Sequence, residues 1–314
     1  MVKNKLNPSA PVAILVGTPT AEDDVKRKLL SCKAGQKFQS FLSANGILPD
    51  DCSYLSLVSE RHPTLDRIRP DELLCWQELT RRDIVKINPN IVLAVGELPF
   101  KFLTGLSDHY SYRGYICKPL MGDFKVLCIW DYSNFFSNPE WNPLTHWDAA
   151  KVKEHMHTKD PMYNKVEVIV THNLQLIMDE FLSEEYINNP DSMLSFDIEC
   201  NKQELTCIGF AKETNKAYVI PLNKMHSGEY ARAIRVINAV LKSPVKKVAQ
   251  NGSFDITYLA YYNNIQVNNF AFDTMLAMHS MYSNLPKGLG VLGSVFTNCE
   301  PWKMNKGDDS DDFK

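Results

Sequence analysis

The chain has 314 residues, with 34 Lys and Arg against 37 Asp and Glu, for a formal net charge of −3. That length exceeds an ordinary single core and points to two domains, while 44% hydrophobic and 23% charged residues mark a globular protein rather than a disordered or fibrous one. The near-balanced charge excludes a globally basic nucleic-acid binder and leaves that role to local patches; the eight cysteines, without a C-x-x-C pair or zinc-like spacing, fit reduced thiols in a cytoplasmic setting.

Residues 1–10 read as a flexible N-terminus. Val12-Ala13-Ile14-Leu15-Val16-Gly17 is a continuous apolar run ending in Gly, the pattern of a buried parallel strand that feeds a loop. It is far too short to span a bilayer, and no secretory signal precedes it. Ala34–Asn45 is a predicted helix with Phe38, Phe41 and Leu42 on one face and Gly46 as its stop. Ser53–Val58 reads as a strand, Asp71–Lys86 as a helix, and Ile91–Gly96 and Phe124–Trp130 as further strands. Alternating strands and helices imply a mostly parallel sheet with helices on both faces. Lys26-Arg27-Lys28, Arg81-Arg82 and Lys246-Lys247 are the basic patches, each read first as a solvated face.

Val16-Gly17-Thr18-Pro19 with Glu22-Asp23, Ala34-Gly35 before a helix, Asn88-Pro89 to Gly96, Arg113-Gly114 and Asp131-Tyr132-Ser133 together resemble the uracil-DNA glycosylase superfamily, in its family-four-like branch. The resemblance covers about residues 11–150 and implies a three-layer α/β domain. It departs at the chemistry. Thr18 stands after Gly17 where active members carry an acid, and Asp131 stands where they carry His. An Asp facing the negative charge that develops on a departing uracil opposes its release. Gly17, Thr18 and Asp131 are therefore read as degenerate glycosylase-like positions in an inactive domain. Gly17-Thr18-Pro19-Thr20 also lacks the Gly-Lys-Ser/Thr of a phosphate-binding P-loop.

Residues 151–164 form a predicted linker containing Pro161; His155-x-His157 lies in it without evident metal partners. Val166–Val170 reads as a strand, Leu174–Leu182 as a helix, and Glu204–Phe210 and Ala217–Pro221 as strands covered by a helix over Tyr230–Lys242. Phe196 to Glu199 is the inner end of a buried strand, and residues i and i+2 of a strand share a face, so Asp197 and Glu199 project side by side. Such adjacent carboxylates call for a hard divalent cation, Mg²⁺ or Mn²⁺ rather than zinc. Asn251-Gly252 ends a short strand at 245–250, and a helix over Phe254–Tyr262 carries Asp255 in its first turn, where the helix N-terminus favours a carboxylate.

These two acidic elements resemble the first motifs of the DEDD (DnaQ-like) 3′–5′ exonucleases, in the form found beside family A DNA polymerases. Phe272-Asp273-Thr274-Met275-Leu276-Ala277, Leu285-Pro286-Lys287-Gly288-Leu289 and Pro301-Trp302-Lys303 extend the match. The resemblance implies a ribonuclease H-like mixed-sheet domain over 165–303 that acts as a proofreading nuclease on single-stranded 3′ ends of DNA. In it Asp197, Glu199 and Asp255 are catalytic ligands of two Mg²⁺ or Mn²⁺ ions, and Asn251, Phe254 and Asp273 lie at the substrate. The family's fourth acid, preceded by Tyr or His, has no counterpart: Asp308, Asp309, Asp311 and Asp312 sit in a polar tail over 304–314. The expectation is a partial nuclease domain, completed by a polymerase portion on the remainder of the gene or on another chain. The alternative is a non-catalytic DNA-binding or assembly module.

Overall fold

The computed structural model describes residues 2–62, 68–133 and 139–301. The chain divides into two compact units, Met1–Asn164 with Gly290–Lys314, and Lys165–Leu289. All eight cysteines are free thiols. Among the described residues no helix is long and apolar enough to cross a membrane.

The first unit is built on a five-stranded sheet in the order β2-β1-β3-β5-β4, from β1 (Val12–Val16), β2 (Cys52–Ser56), β3 (Ile91–Val95), β4 (Ile116–Cys117) and β5 (Lys125–Ile129). All pairings are parallel except β4 with β5. The continuous apolar runs have the reason expected of them, because the sheet carries a core on each face. Val12, Ile14 and Val16 pack with Phe38 and Leu42 of the helix Lys33–Ala44. Ala13 and Leu15 pack with Ile84 of the helix Pro70–Ile87 and with Phe100 and Leu103 of the helix Glu97–Thr104. This is the three-layer α/β arrangement.

The predicted linker begins later than its composition suggests. Asn142–His155 is a helix with Leu144, Ala149 and Val152 buried. His155 is fully buried with Nε2 3.4 Å from Asn298 Oδ1, which makes it a packing residue of this unit. The same helix holds a buried ion pair, Arg113 Nη1 to Asp148 Oδ1 at 2.6 Å. Beside it Lys151 Nζ donates to the carbonyls of Gly114 (2.8 Å) and Thr297 (3.0 Å). Burial pushes the Lys151 ammonium down to about 8. The helix Leu289–Phe296, expected with the nuclease region, lies in this unit, where Tyr115 donates its hydroxyl to Gly290 O at 2.6 Å. Trp302, Lys303 and the acidic tail lie outside the described residues.

The second unit has a six-stranded sheet in the order β11-β10-β7-β8-β9-β6. Its strands are β6 (Glu167–Val170), β7 (Met193–Asn201), β8 (Glu204–Glu213), β9 (Lys216–Pro221), β10 (Lys246–Ala249) and β11 (Phe270–Asp273). β7, β8 and β9 form an antiparallel meander, and β10 and β11 add in parallel beside β7, giving the ribonuclease H-like mixed sheet. Leu194, Phe196 and Ile198 of β7 are buried against Phe181 of the helix Leu174–Phe181, Ile237 and Leu241 of the helix Ser227–Lys242, and Leu259 of the helix Gly252–Asn263. The opposite face carries no core cluster among the described residues. Strand register places Asp197 beside Gly209, Gly209 beside Val219 and Val219 beside Val170 across it. Val168 and Val170 there are 58% and 55% exposed.

Lys247 is not the surface charge that its sequence suggests. It is fully buried, and its Nζ donates to Ser243 Oγ at 3.0 Å and Val245 O at 2.9 Å, which leaves the 246–247 pair without a basic patch.

Because Asp148 is the buried partner of Arg113, Asp148→Ala should destabilise the protein by about 3–5 kcal/mol in chemical denaturation. A loss under about 1 kcal/mol would show that the pair is not the anchor of this helix.

Candidate active site

The carboxylates of the second unit are positioned by three local devices. The first is the alternation of β7, which buries Phe196 and Ile198 and turns Asp197 and Glu199 to solvent. The second is the turn between β10 and the helix Gly252–Asn263. Asn251 adopts the left-handed conformation (φ 57°), and Gly252 follows where a Cβ would lie 2.7 Å from the Phe270 ring and 2.9 Å from Ala249 Cβ. Only glycine fits that approach.

The third device is Asp273. It is buried, and its two oxygens accept from Asn251 N (3.1 Å), Gly252 N (2.9 Å), Met275 N (2.8 Å) and Leu276 N (3.2 Å). One carboxylate thus caps the helix Thr274–Met281 and clamps the turn that begins the helix Gly252–Asn263. Four backbone donors engage it, three on Oδ1 and one on Oδ2, so Asp273 is a structural clamp of the site. Thr274 Oγ1 and Gln250 Oε1, 2.6 Å apart, tie the same two segments.

The clamp delivers Asp255 to β7. Its Oδ1 accepts from Ile198 N at 3.1 Å, so the third acid meets the strand backbone between the other two. Burial raises the Asp255 carboxyl to about 6, with the Asp197 and Glu199 charges adding to the shift and the Ile198 hydrogen bond opposing it. Phe254, one residue earlier, is 54% exposed at the start of the helix, and Asn251 is exposed beside it. Asp197, Glu199 and Asp255 therefore share a neighbourhood, with Asn251 and Phe254 on its rim. Their oxygens do not gather within 4.8 Å of one another, whereas Glu60, His62 and Glu72 of the first unit do. That second group includes a His62–Glu72 contact of 3.5 Å, and Arg69 lies 4.0 Å from Glu72.

In the first unit, Gly17 and Thr18 follow β1, Gly96 follows β3 and Asp131 lies just past β5, so adjacent parallel strands bring these positions to the C-terminal end of the sheet. A Cβ on Gly96 (φ +84°) would stand 3.9 Å from Asp131 Oδ2. Asp131 Oδ1 accepts from Ser133 N at 2.8 Å, an Asx-type turn that shapes its own loop. Sequence reasoning missed His109 here. Burial lowers the pKa of its imidazole, and Glu97, Asp108 and Asp131 act in the opposite direction. No spacing in the chain marks it.

Two stretches of the chain match known family models. Residues 174–310 match the 3′–5′ exonuclease family model, and residues 4–158 match that of the uracil DNA glycosylase superfamily. The two matches fall on successive stretches of the chain, the glycosylase-superfamily match before the exonuclease match. It is 22% identical over 305 residues to a DNA polymerase of Bacillus phage SP01, an alignment that takes in 88% of this chain and 33% of the relative. The chain thus spans about a third of the length of that polymerase. Among solved structures, the EXD2 exonuclease domain soaked in Mg and GMP aligns with 41% of this chain and 70% of its own, at 19% identity and a TM-score of 0.29. The catalytic core of RRP6 from Trypanosoma brucei aligns with 47% of this chain and 38% of its own, at 14% identity and a TM-score of 0.36.

The raised Asp255 carboxyl sets the sign of a pH effect. A folded-state value above the ordinary carboxylate range means the folded protein binds that proton more tightly than the unfolded chain. Its stabilising contribution is complete below pH ~4 and is lost as pH rises through about 6. Asp255→Asn keeps an oxygen for Ile198 N and removes the charge. It should raise the melting temperature by a few degrees at pH 7.5 and lose that advantage at pH 4, measured without divalent cations. An equal effect at both pH values would contradict the electrostatic reading.

Proposed function

We propose that the second unit is the nuclease of a proofreading DNA polymerase, removing nucleotides from single-stranded 3′ ends of DNA by two-metal phosphodiester hydrolysis. The observation that carries the reading is the convergence of Asp255 on the strand backbone between Asp197 and Glu199. An all-oxygen, all-anionic donor set suits a hard divalent cation, Mg²⁺ or Mn²⁺. The raised Asp255 carboxyl supports it, since burial, with the Asp197 and Glu199 charges adding to it, disfavours an anion that a bound cation would stabilise.

Asp197, Glu199 and Asp255 would hold the ions. Bound there, divalent cations supply an activated water and neutralise charge at the scissile phosphate. Glu199, exposed on the strand, would also help to orient the attacking water. Phe254 presents an open ring on which a terminal base can stack, and Asn251 offers an amide to the same nucleotide. Asp273 acts through both, by fixing the turn they stand on. The fourth carboxylate, and a cover for the open sheet face, are proposed to come from residues outside those described, with a polymerase portion as the source. Asp131, whose Oδ1 accepts from Ser133 N, is an anion where a leaving uracil calls for a donor, so the first unit is proposed to lack glycosylase activity.

The spread of the three carboxylates favours one competing reading, a non-catalytic DNA-binding or assembly module. A single assay separates the two. Incubated with Mg²⁺ or Mn²⁺ and 5′-labelled single-stranded DNA containing one uracil, the protein joined to its polymerase portion should shorten the DNA from the 3′ end. Asp197→Ala should reduce that trimming at least ~100-fold, since even outer partners of metal ligands cost about 10–100-fold. The uracil should remain in place. Trimming unchanged by Asp197→Ala would overturn the site, absence of trimming would favour the module, and uracil release would overturn the inactive glycosylase.

A further inference from the structure

Of the three basic runs in the sequence, two are spoken for. Lys247 is interior, and Arg82 pairs with Glu78 at 3.1 Å while Arg81 lies over the Phe102 ring. Lys26, Arg27 and Lys28 are all exposed, and they stand on a turn built with unusual care.

Arg27 (φ 50°) and Leu30 (φ 57°) both take the left-handed conformation, uncommon for residues with side chains and costly for one as large as Leu. The surroundings hold them there. Asp23, fully buried, accepts from Thr20 N at 2.9 Å and from Ser31 N at 2.6 Å, pinning both ends of the segment. Gln39 Nε2 donates to Leu30 O at 2.9 Å, and Gln36 Nε2 donates to Ser31 O at 2.7 Å. Gly35 allows the approach, since a Cβ on it would lie 2.7 Å from Leu30 Cα. The buried acid is thus spent on backbone amides, and the cations are left on the outside.

Two adjoining recesses open over this turn. One, of about 290 Å³, is lined by Lys3, Lys5, Arg27, Lys28, Gln39 and Tyr54 among others. The other, of about 320 Å³, is lined by Lys26 and Lys28 with Ser31, Gln36 and Gln39. Five cations border the pair and no acid lines either. Asp50 and Asp51 follow Pro49 in sequence, but Asp51 Oδ2 accepts from Leu48 N at 2.8 Å. Among the described residues none of the five cations forms an ion pair; Lys5 lies over the Tyr54 ring at 5.7 Å. In a chain of net charge −3, this is a concentrated and preorganised positive surface.

We propose that Lys3, Lys5, Lys26, Arg27 and Lys28 bind the sugar-phosphate backbone of nucleic acid, as a contact surface of the first unit separate from the nuclease carboxylates. The choice of nucleic acid among polyanions rests on the nuclease reading of the second unit. The surface recognises backbone charge and not sequence, because its side chains are point donors for phosphate oxygens.

The test is binding of fluorescein-labelled single-stranded and duplex DNA to the full chain, followed by anisotropy in EDTA across a salt series. Lys3→Gln/Arg27→Gln/Lys28→Gln leaves the Lys26 bond to Ser31 O intact. It should weaken binding at least ~10-fold at low salt and reduce the slope of log K against log salt by about 2 for single strands and nearer 3 for duplex. Arg81→Gln/Arg82→Gln/Lys101→Gln removes the same charge elsewhere and should leave the slope unchanged. Lys5→Gln/Lys28→Gln draws on separate segments and should give a loss of about 1–2 in slope even if the triple variant fails to fold. Equal slopes in patch variants and wild type, or equal losses in the control, would overturn the proposal, as would equally tight, patch-dependent binding of polyglutamate. The nuclease assignment is read from metal-dependent trimming and this surface from the salt slope in EDTA, so failure of one and failure of the other give different results.

Discussion

Everything proposed for the second unit depends on the two-residue period of one strand. In β7, Phe196 and Ile198 enter the core while Asp197 and Glu199 are turned to the other face of the sheet. A one-residue slip in register would bury two carboxylates and expose two large apolar side chains. The hydrophobic cost of that slip, at about 1.5–3 kcal/mol for each apolar side chain, is what fixes the acids in place. No interaction among the acids themselves could do so, since they repel one another.

The two sheets meet this constraint in different ways. The first is covered by a core on each face, and its strands are apolar throughout. The second is covered on one face, and its other face mixes carboxylates with exposed valines. Polar catalysis needs an open face; an apolar row beside it invites cover. Asp273 links these needs by using one buried carboxylate to start two helices, which lets Asp255 reach the Ile198 amide without a longer loop. The cost is electrostatic and appears in the raised Asp255 carboxyl.

Much of this was legible in the residues. The apolar run at 12–16 and the alternation at 193–199 state their own burial, and Asn251-Gly252 announces the turn that the clamp holds. What the sequence could not show depends on distant partners. Lys247 reads as half of a surface pair, yet its ammonium is buried among the Ser243 hydroxyl and nearby carbonyls. Asp273 reads as a substrate residue because its role lies in four amides, two of them 21 and 22 residues away and two only 2 and 3 away. Helix Leu289–Phe296 carries no mark of the unit it joins, because that is decided by Tyr115 and Lys151, more than a hundred residues earlier. Lys26-Arg27-Lys28 reads as any solvated triplet, because the left-handed turn beneath it is held by residues outside the triplet.

The most direct measurement is Mn²⁺ binding to the full chain, followed by loss of the free-ion electron paramagnetic resonance signal between pH 5 and 8. If Asp197, Glu199 and Asp255 form the cation site, affinity will rise as pH passes through about 6, vanish in Asp197→Ala and survive Glu72→Ala. Binding that survives Asp197→Ala and is lost in Glu72→Ala would place the cation on Glu60, His62 and Glu72, and would contradict the account.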